Sequence, residues 1–155
     1  LLKSNGQMVY LTPRSYFSGK SYSKLRSELI RQGSIERIHH FRKRDKIFGS
    51  DILQESVITK IVKNHDSSKK ITITRSDSIE DIQESTMLEV SKEKIIYKEN
   101  FILIPENNKD LEIIMILNKF RNRFKDINLK FSTGKIVDFR NLQYLKDTNT
   151  DTSIP

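Results

Sequence analysis

The sequence contains no cysteine, which excludes disulfides, thiol nucleophiles and zinc–thiolate sites. Histidine is scarce as well: His39, His40 and His65 are the only three. His39 and His40 are neighbours in a strand-like segment, where adjacent side chains point to opposite faces, so no spaced set of metal ligands is expected. The five glycines (Gly6, Gly19, Gly33, Gly49, Gly134) are all isolated, which excludes a glycine-rich phosphate or cofactor loop. The prolines are isolated too, and no serine is framed by glycines as a hydrolase nucleophile would be. No lysine has Asp or Glu two positions before it, the spacing that metal-dependent nuclease chemistry would require. No apolar run approaches the roughly 18–20 residues of a membrane span. No signal-peptide pattern follows Leu1, and a soluble, cytoplasmic chain is expected. A start at Leu1 rather than Met reads as a piece of a longer protein.

What is present is charge, unevenly placed. The 155 residues carry a net charge of +8. Residues 1–76 hold 16 Lys/Arg against 6 Asp/Glu, whereas residues 77–118 hold 4 against 10. Residues 119–155 are basic again, with 8 against 4. Two basic regions around an acidic middle point to a polyanionic partner for the ends.

The apolar pattern predicts an α/β order. "QMVYLT", Gln7 to Thr12, has little alternation and reads as a buried strand ended by Pro13. Tyr22, Leu25, Leu29 and Ile30 share helical spacing, with Ser21 as N-cap and Gly33 as the stop. "SIERIHHF", Ser34 to Phe41, and "LQESVITKIVKN", Leu53 to Asn64, read as strands, and "KITITRS" as an edge-like third, antiparallel in kind. The acidic stretch from Asp77 to Glu93 reads as a linker or lid with short elements. "KIIYK" and "NFILIP" suggest short strands. A second helix is expected through Leu111, Ile114, Met115 and Phe120 with Asn108 as its cap. Ile127 to Phe139 returns to strand, and the polar end of the chain is expected to fray.

No catalytic constellation is complete, and the chemistry-bearing features left are basic residues beside aromatics. "LTPRSYFSGK" places Arg14 and Lys20 with Tyr16 and Phe17 just after a strand end. "FRKRDKIFG" places Arg42, Lys43, Arg44 and Lys46 beside Phe48. Arginine and lysine grip phosphates, and an aromatic face stacks on an unstacked base for roughly 1–3 kcal/mol. Spacing alone favours Phe48 as a hairpin aromatic folded back onto the sheet, and the cations serve equally as a solvated surface.

"GQMVYLTPRSYFSGKSYSKLRSEL", "IERIHHF" and "FGSDILQESVITKI", in that order, resemble the carboxyl-terminal part of the catalytic domain of adenine-N6 DNA methyltransferases of type II restriction-modification systems. "STGKIVDFRNLQYL", Ser132 to Leu145, resembles the passage into their target-recognition region. The resemblance implies the back half of a Rossmann-like sheet followed by a small α+β segment. It implies residues 1–76 as catalytic-domain part and 105–146 as the start of target recognition; by composition, residues 77–104 read as an acidic linker or lid and 147–155 as a tail. It implies S-adenosylmethionine as cofactor, double-stranded DNA as partner, and an adenine flipped out of the duplex. Phe48 would pack on that base, and Arg14, Lys20, Arg42, Lys43, Arg44 and Lys46 would contact phosphates. The Asn/Asp-Pro-Pro-Tyr/Phe motif and the glycine-containing cofactor motif of such enzymes are absent here. The 155 residues are therefore expected to bind the cofactor poorly and to be inactive without an N-terminal half. Self-association to cover a truncated sheet stays open, as do two other readings: a stand-alone, non-catalytic basic DNA-binding module and a protein-interaction domain.

Overall fold

The computed structural model describes residues 2–44, 46–47, 54–63, 70–97, 100–122 and 124–132. The chain divides into two compact units, residues 1–119 and 120–155. The expected boundary at 76/77 falls inside the first of them.

The first unit is built on a five-stranded mixed sheet in the order β1-β3-β2-β4-β5. The strands are β1 (Gln7–Pro13), β2 (Gly33–Phe41), β3 (Ser56–Lys63), β4 (Ile71–Ser76) and β5 (Thr86–Val90). β3 lies between β1 and β2 and is antiparallel to both, while β4 runs parallel to β2 and antiparallel to β5. The strand–helix–strand opening and the α/β class follow the expectation. The placement of three segments does not.

β1 is an edge strand, not a buried one. It alternates, with Met8 and Tyr10 packed inward while Val9 is 63% exposed. β4 is interior rather than an edge, and its pairing with β2 is parallel. Residues read as linker supply β5, whose Leu88 packs on the core while Met87 faces solvent. Within this five-residue strand, alternation was too brief to stand out from its acidic neighbours.

Ile35, Ile38, Val57, Ile61, Ile71 and Ile73 form the heart of the core. These β-branched residues suit a pleated surface because their stiff side chains lose little freedom there. Burying each contributes roughly 1.5–3 kcal/mol. A bulge between Ile35 and Arg37 shifts the register of β2 against β3.

Between β1 and β2, two 3-10 turns (Arg14–Phe17 and Lys20–Tyr22) lead into α1, Ser23–Gln32. Tyr22, not Ser21, is the N-cap, and no side chain caps the helix. Gly33 ends it in extended backbone, with φ −150°. Glycine is needed there for space: a Cβ would meet Ile61 Cγ2 at 2.7 Å and the Val62 carbonyl at 3.0 Å.

Of the apolar stripe of α1, Leu29 and Ile30 pack against the core. Leu25 is exposed, and the fully buried residue is Arg26. Its Nη1 donates to the Tyr16 and Gly19 carbonyls, both at 2.7 Å, and its Nε to the Asn100 carbonyl at 3.1 Å. Its guanidinium carbon lies 5.4 Å from the centre of the Phe101 ring. Asn100 holds φ 59° and donates from its side chain to Ser27 Oγ. One arginine thus ties the turns after β1 to a loop more than 70 residues away.

That loop contains α2 (Lys92–Ile95) and a single bridge, Ile96 to Ile102, in place of the two expected strands. α3, Asn108–Leu117, is capped by Asn107, whose side chain accepts from the Asp110 N–H. Leu111 is its buried residue, while Met115 and Phe120 beyond its end are exposed. In the second unit, a 3-10 turn at Phe124–Ile127 and Asn128 at φ 57° fold the chain so that the Phe124 and Phe131 rings meet edge to face, 4.6 Å apart. Residues 127–132 carry no strand, and the remainder of the expected strand at 127–139 lies outside the described residues. Among those residues no helix is long and apolar enough to cross a membrane.

Candidate nucleic-acid interface

Because β1, β2 and β4 share one direction, their carboxyl ends gather at one end of the sheet with the amino ends of β3 and β5. In open α/β sheets ligands collect beyond such strand ends. Four of the six expected phosphate-contacting residues sit there, in two groups.

Arg14 follows β1 directly, and register brings it to Glu55, which precedes β3. Arg14 Nη1 reaches Glu55 Oε2 at 2.6 Å, and Arg44 places Nε and Nη2 on Oε1 at 3.2 and 2.9 Å. These residues line a cleft of about 400 Å³ together with Pro13, Ser15, Ser18 and Gln54. The second group follows β2 and β4. Arg42 Nη2 lies 2.6 Å and Lys43 Nζ 3.1 Å from the two carboxylate oxygens of Asp77. All four cations keep about half or more of their side chains in solvent.

Lys20 and Lys46 are exposed and make no ion pair among the described residues. The charge of Lys46 is felt by Glu80, whose carboxyl is held low first by the Ser78 hydroxyl. Phe48, expected to stack on a base, lies outside the described residues.

Sequence reasoning missed the acids. Glu55 and Asp77 are single carboxylates in ordinary contexts, and only strand register shows that each faces two cations. The Arg14 hydrogen bond, chiefly, holds the Glu55 carboxyl below the usual range, and Lys43 does so at Asp77. Arg75, opposite His40 on β4, was also missed; it reaches Glu106 at 3.6 Å.

Behind this rim both histidines are buried, one on each face of β2. His39 spans the Thr74 and Ser76 hydroxyls at 2.9 and 3.0 Å. His40 has 4% of its side chain exposed, with Nε2 3.7 Å from Glu55. Burial pushes both imidazoles below their ordinary value, and at His40 the Arg14 charge adds to the effect. Among the described residues no three His, Asp or Glu converge as metal ligands.

The sign for stability follows directly. The unfolded chain takes up protons near pH 6.5 that these folded imidazoles refuse, so acid favours unfolding. The melting temperature is expected to be level near pH 7–8 and to fall as pH drops below about 6.5. A further loss is expected below about 4.5, where Glu55 and Asp81 begin to protonate in the unfolded chain; Asp81 is held at about 2, first by the Asp77 N–H. Thermal melts across pH 4–8 check this, with His40→Phe expected to flatten the upper part of the fall.

The family described as the Eco57I restriction-modification methylase matches residues 1–48. The type II methyltransferase M.PstI of Providencia stuartii is 32% identical over 158 aligned residues, covering 99% of this chain and 31% of that protein. The type II methyltransferase M.BsuBI of Bacillus subtilis is 31% identical over 163, covering 100% and 31%. The chain thus spans about a third of the length of these curated relatives. Two solved structures show slighter likeness. One, from work on assembly and conformational transition of a type I R-M system, has a TM-score of 0.46 at 10% identity, covering 76% of this chain and 35% of that one. The other, a DrdV–DNA complex, has 0.44 at 12%, covering 68% and 12%. Along nearly all of its 155 residues, this chain is similar to the methyltransferases of type II restriction-modification systems.

Proposed function

We propose that the chain is part of a DNA methyltransferase that moves a methyl group from S-adenosylmethionine to adenine N6, and that its basic strand-end rim faces DNA phosphates. The observation that carries the reading is the near-complete alignment with two type II methyltransferases, joined to a rim that groups Arg14 with Arg44 and Arg42 with Lys43. Phosphate contacts from such residues fix a protein's register on a duplex without reading its sequence.

The described residues do not fit the cofactor. Gly6, Gly19 and Gly33 each turn their Cα toward the chain itself: an added Cβ would meet Lys3 O at 2.8 Å, Ser15 O at 2.6 Å and Ile61 Cγ2 at 2.7 Å. None of these three opens the backbone to a ligand, and on this reading the cofactor-binding part of methyl transfer belongs to residues beyond these 155. What this chain contributes is the DNA-facing surface and, through Phe48, a wall for the extruded base, which has lost its stacking neighbours.

The test is fluorescence anisotropy with a labelled duplex across a salt series. Salt-sensitive binding by the chain supports the reading; affinity indifferent to salt overturns it. For Phe48, the longer protein is the right material. Phe48→Ala is expected to lower methyl transfer about tenfold, the effect of removing one stacking partner from the base, while low-salt duplex binding stays close to wild type. Unchanged turnover would return Phe48 to a place in the fold.

A further inference from the structure

We infer that Glu55 is an internal stand-in for a phosphate: it occupies the Arg14–Arg44 site until a nucleic-acid phosphodiester displaces it. The inference rests on the DNA-binding reading and adds a regulatory element to it.

A carboxylate and a phosphodiester both present two anionic oxygens, and guanidinium groups bind either in the same forked manner. Glu55 uses both oxygens, Oε2 on Arg14 and Oε1 on Arg44. The three groups line an open cleft of about 400 Å³, and the two arginines remain about half exposed. Ion pairs so exposed are held weakly, because water and salt compete for both partners. Exchange of one anion for another is therefore easy.

Glu55 also has somewhere to go. Behind it lies His40, 4% exposed, with neither ring nitrogen hydrogen-bonded among the described residues. Its Nε2 is 3.7 Å from Oε2, so a movement of under about 1 Å brings the carboxylate within hydrogen-bond reach. A buried imidazole nitrogen without a partner is costly, and the displaced carboxylate would satisfy it. The seat for Glu55 after displacement is already built.

Duplex binding by the full chain, with and without Glu55→Gln, tests this across 50–300 mM KCl. Removing the carboxylate charge is expected to tighten binding roughly three- to tenfold and to steepen the slope of log affinity against log salt by about one. Glu55→Ala frees the same guanidiniums and is expected to act alike. Glu112→Gln removes the same charge from exposed α3, and is expected to leave the slope unchanged. A Glu55→Gln protein that binds equally or more weakly overturns the latch, and so does an equal gain in Glu112→Gln. Binding by the variant alone supports it in strong form. If neither wild type nor variant binds DNA, the latch and the DNA reading fall together.

Discussion

Replacing Arg26 with leucine is expected to destabilise the first compact unit by about 3–5 kcal/mol. The side chain is fully buried, and its loss takes a donor from three carbonyls: those of Tyr16 and Asn100 are left without one, and that of Gly19 keeps only the Tyr22 N–H at 3.2 Å. Each buried acceptor left without a donor costs roughly 1–3 kcal/mol. Leucine recovers some apolar contact, and exchanging a buried charge for a hydrophobe can even stabilise when the whole network is exchanged with it. Here the network is backbone and cannot be exchanged, so the cost prevails. Arg26→Lys is expected to fall in between: one ammonium cannot serve three diverging carbonyls as a planar fork does. Urea titration checks both variants; with a slope of about 1–3 kcal/mol per molar, the leucine midpoint should fall by more than 1 M. An unmoved midpoint would show that the carbonyls find other donors.

A combined Arg14→Gln, Arg42→Gln, Lys43→Gln and Arg44→Gln variant is expected to lose at least a hundredfold in duplex affinity at about 100 mM salt. Every phosphate that is no longer neutralised flattens the slope of log affinity against log salt by about 0.9. Four cations removed should flatten it by about two to four. Glu55 and Asp77 would remain at the rim without their partners, and their repulsion of phosphate deepens the loss. Folding should survive, because all four side chains are substantially exposed and exposed pairs contribute about 0–1 kcal/mol each. Affinity and slope close to wild type would move the DNA surface elsewhere on the molecule.

Long periodic segments were legible, and pairing was not. β2, β3 and α1 stand where the sequence patterns put them because their apolar residues recur over eight or more positions. β1 shows "MVYL" without alternation, yet Val9 and Leu11 face solvent; a run of apolar residues says nothing of which neighbour a strand will have. β5 carries two core-facing residues, Leu88 and Val90, in an acidic stretch, and only the uncovered edge of β4 gives it a place. At the rim, the cations were legible because basic residues cluster in sequence. Glu55 and Asp77 were not, since each meets its cationic partners through register or across a turn. Arg26 was hidden by its own chemistry, for a charged residue amid helix-spaced leucines reads as a solvent face.

The placement of β3 between β1 and β2 also bears on the order in which the chain can assemble. As the polypeptide emerges from the ribosome, β1, α1 and β2 appear before β3, within the stretch that the methylase family matches. In the finished sheet those two strands share no hydrogen bonds, because β3, not yet synthesised at that point, lies between them. The sheet can close only after Lys63 is out, and then both ladders form by inserting one strand between two that are waiting. Such insertion requires long loops to close before any pairing rewards it, which slows folding. Until it happens, two apolar strands stand with open edges, the period when a nascent chain is most exposed to association with others.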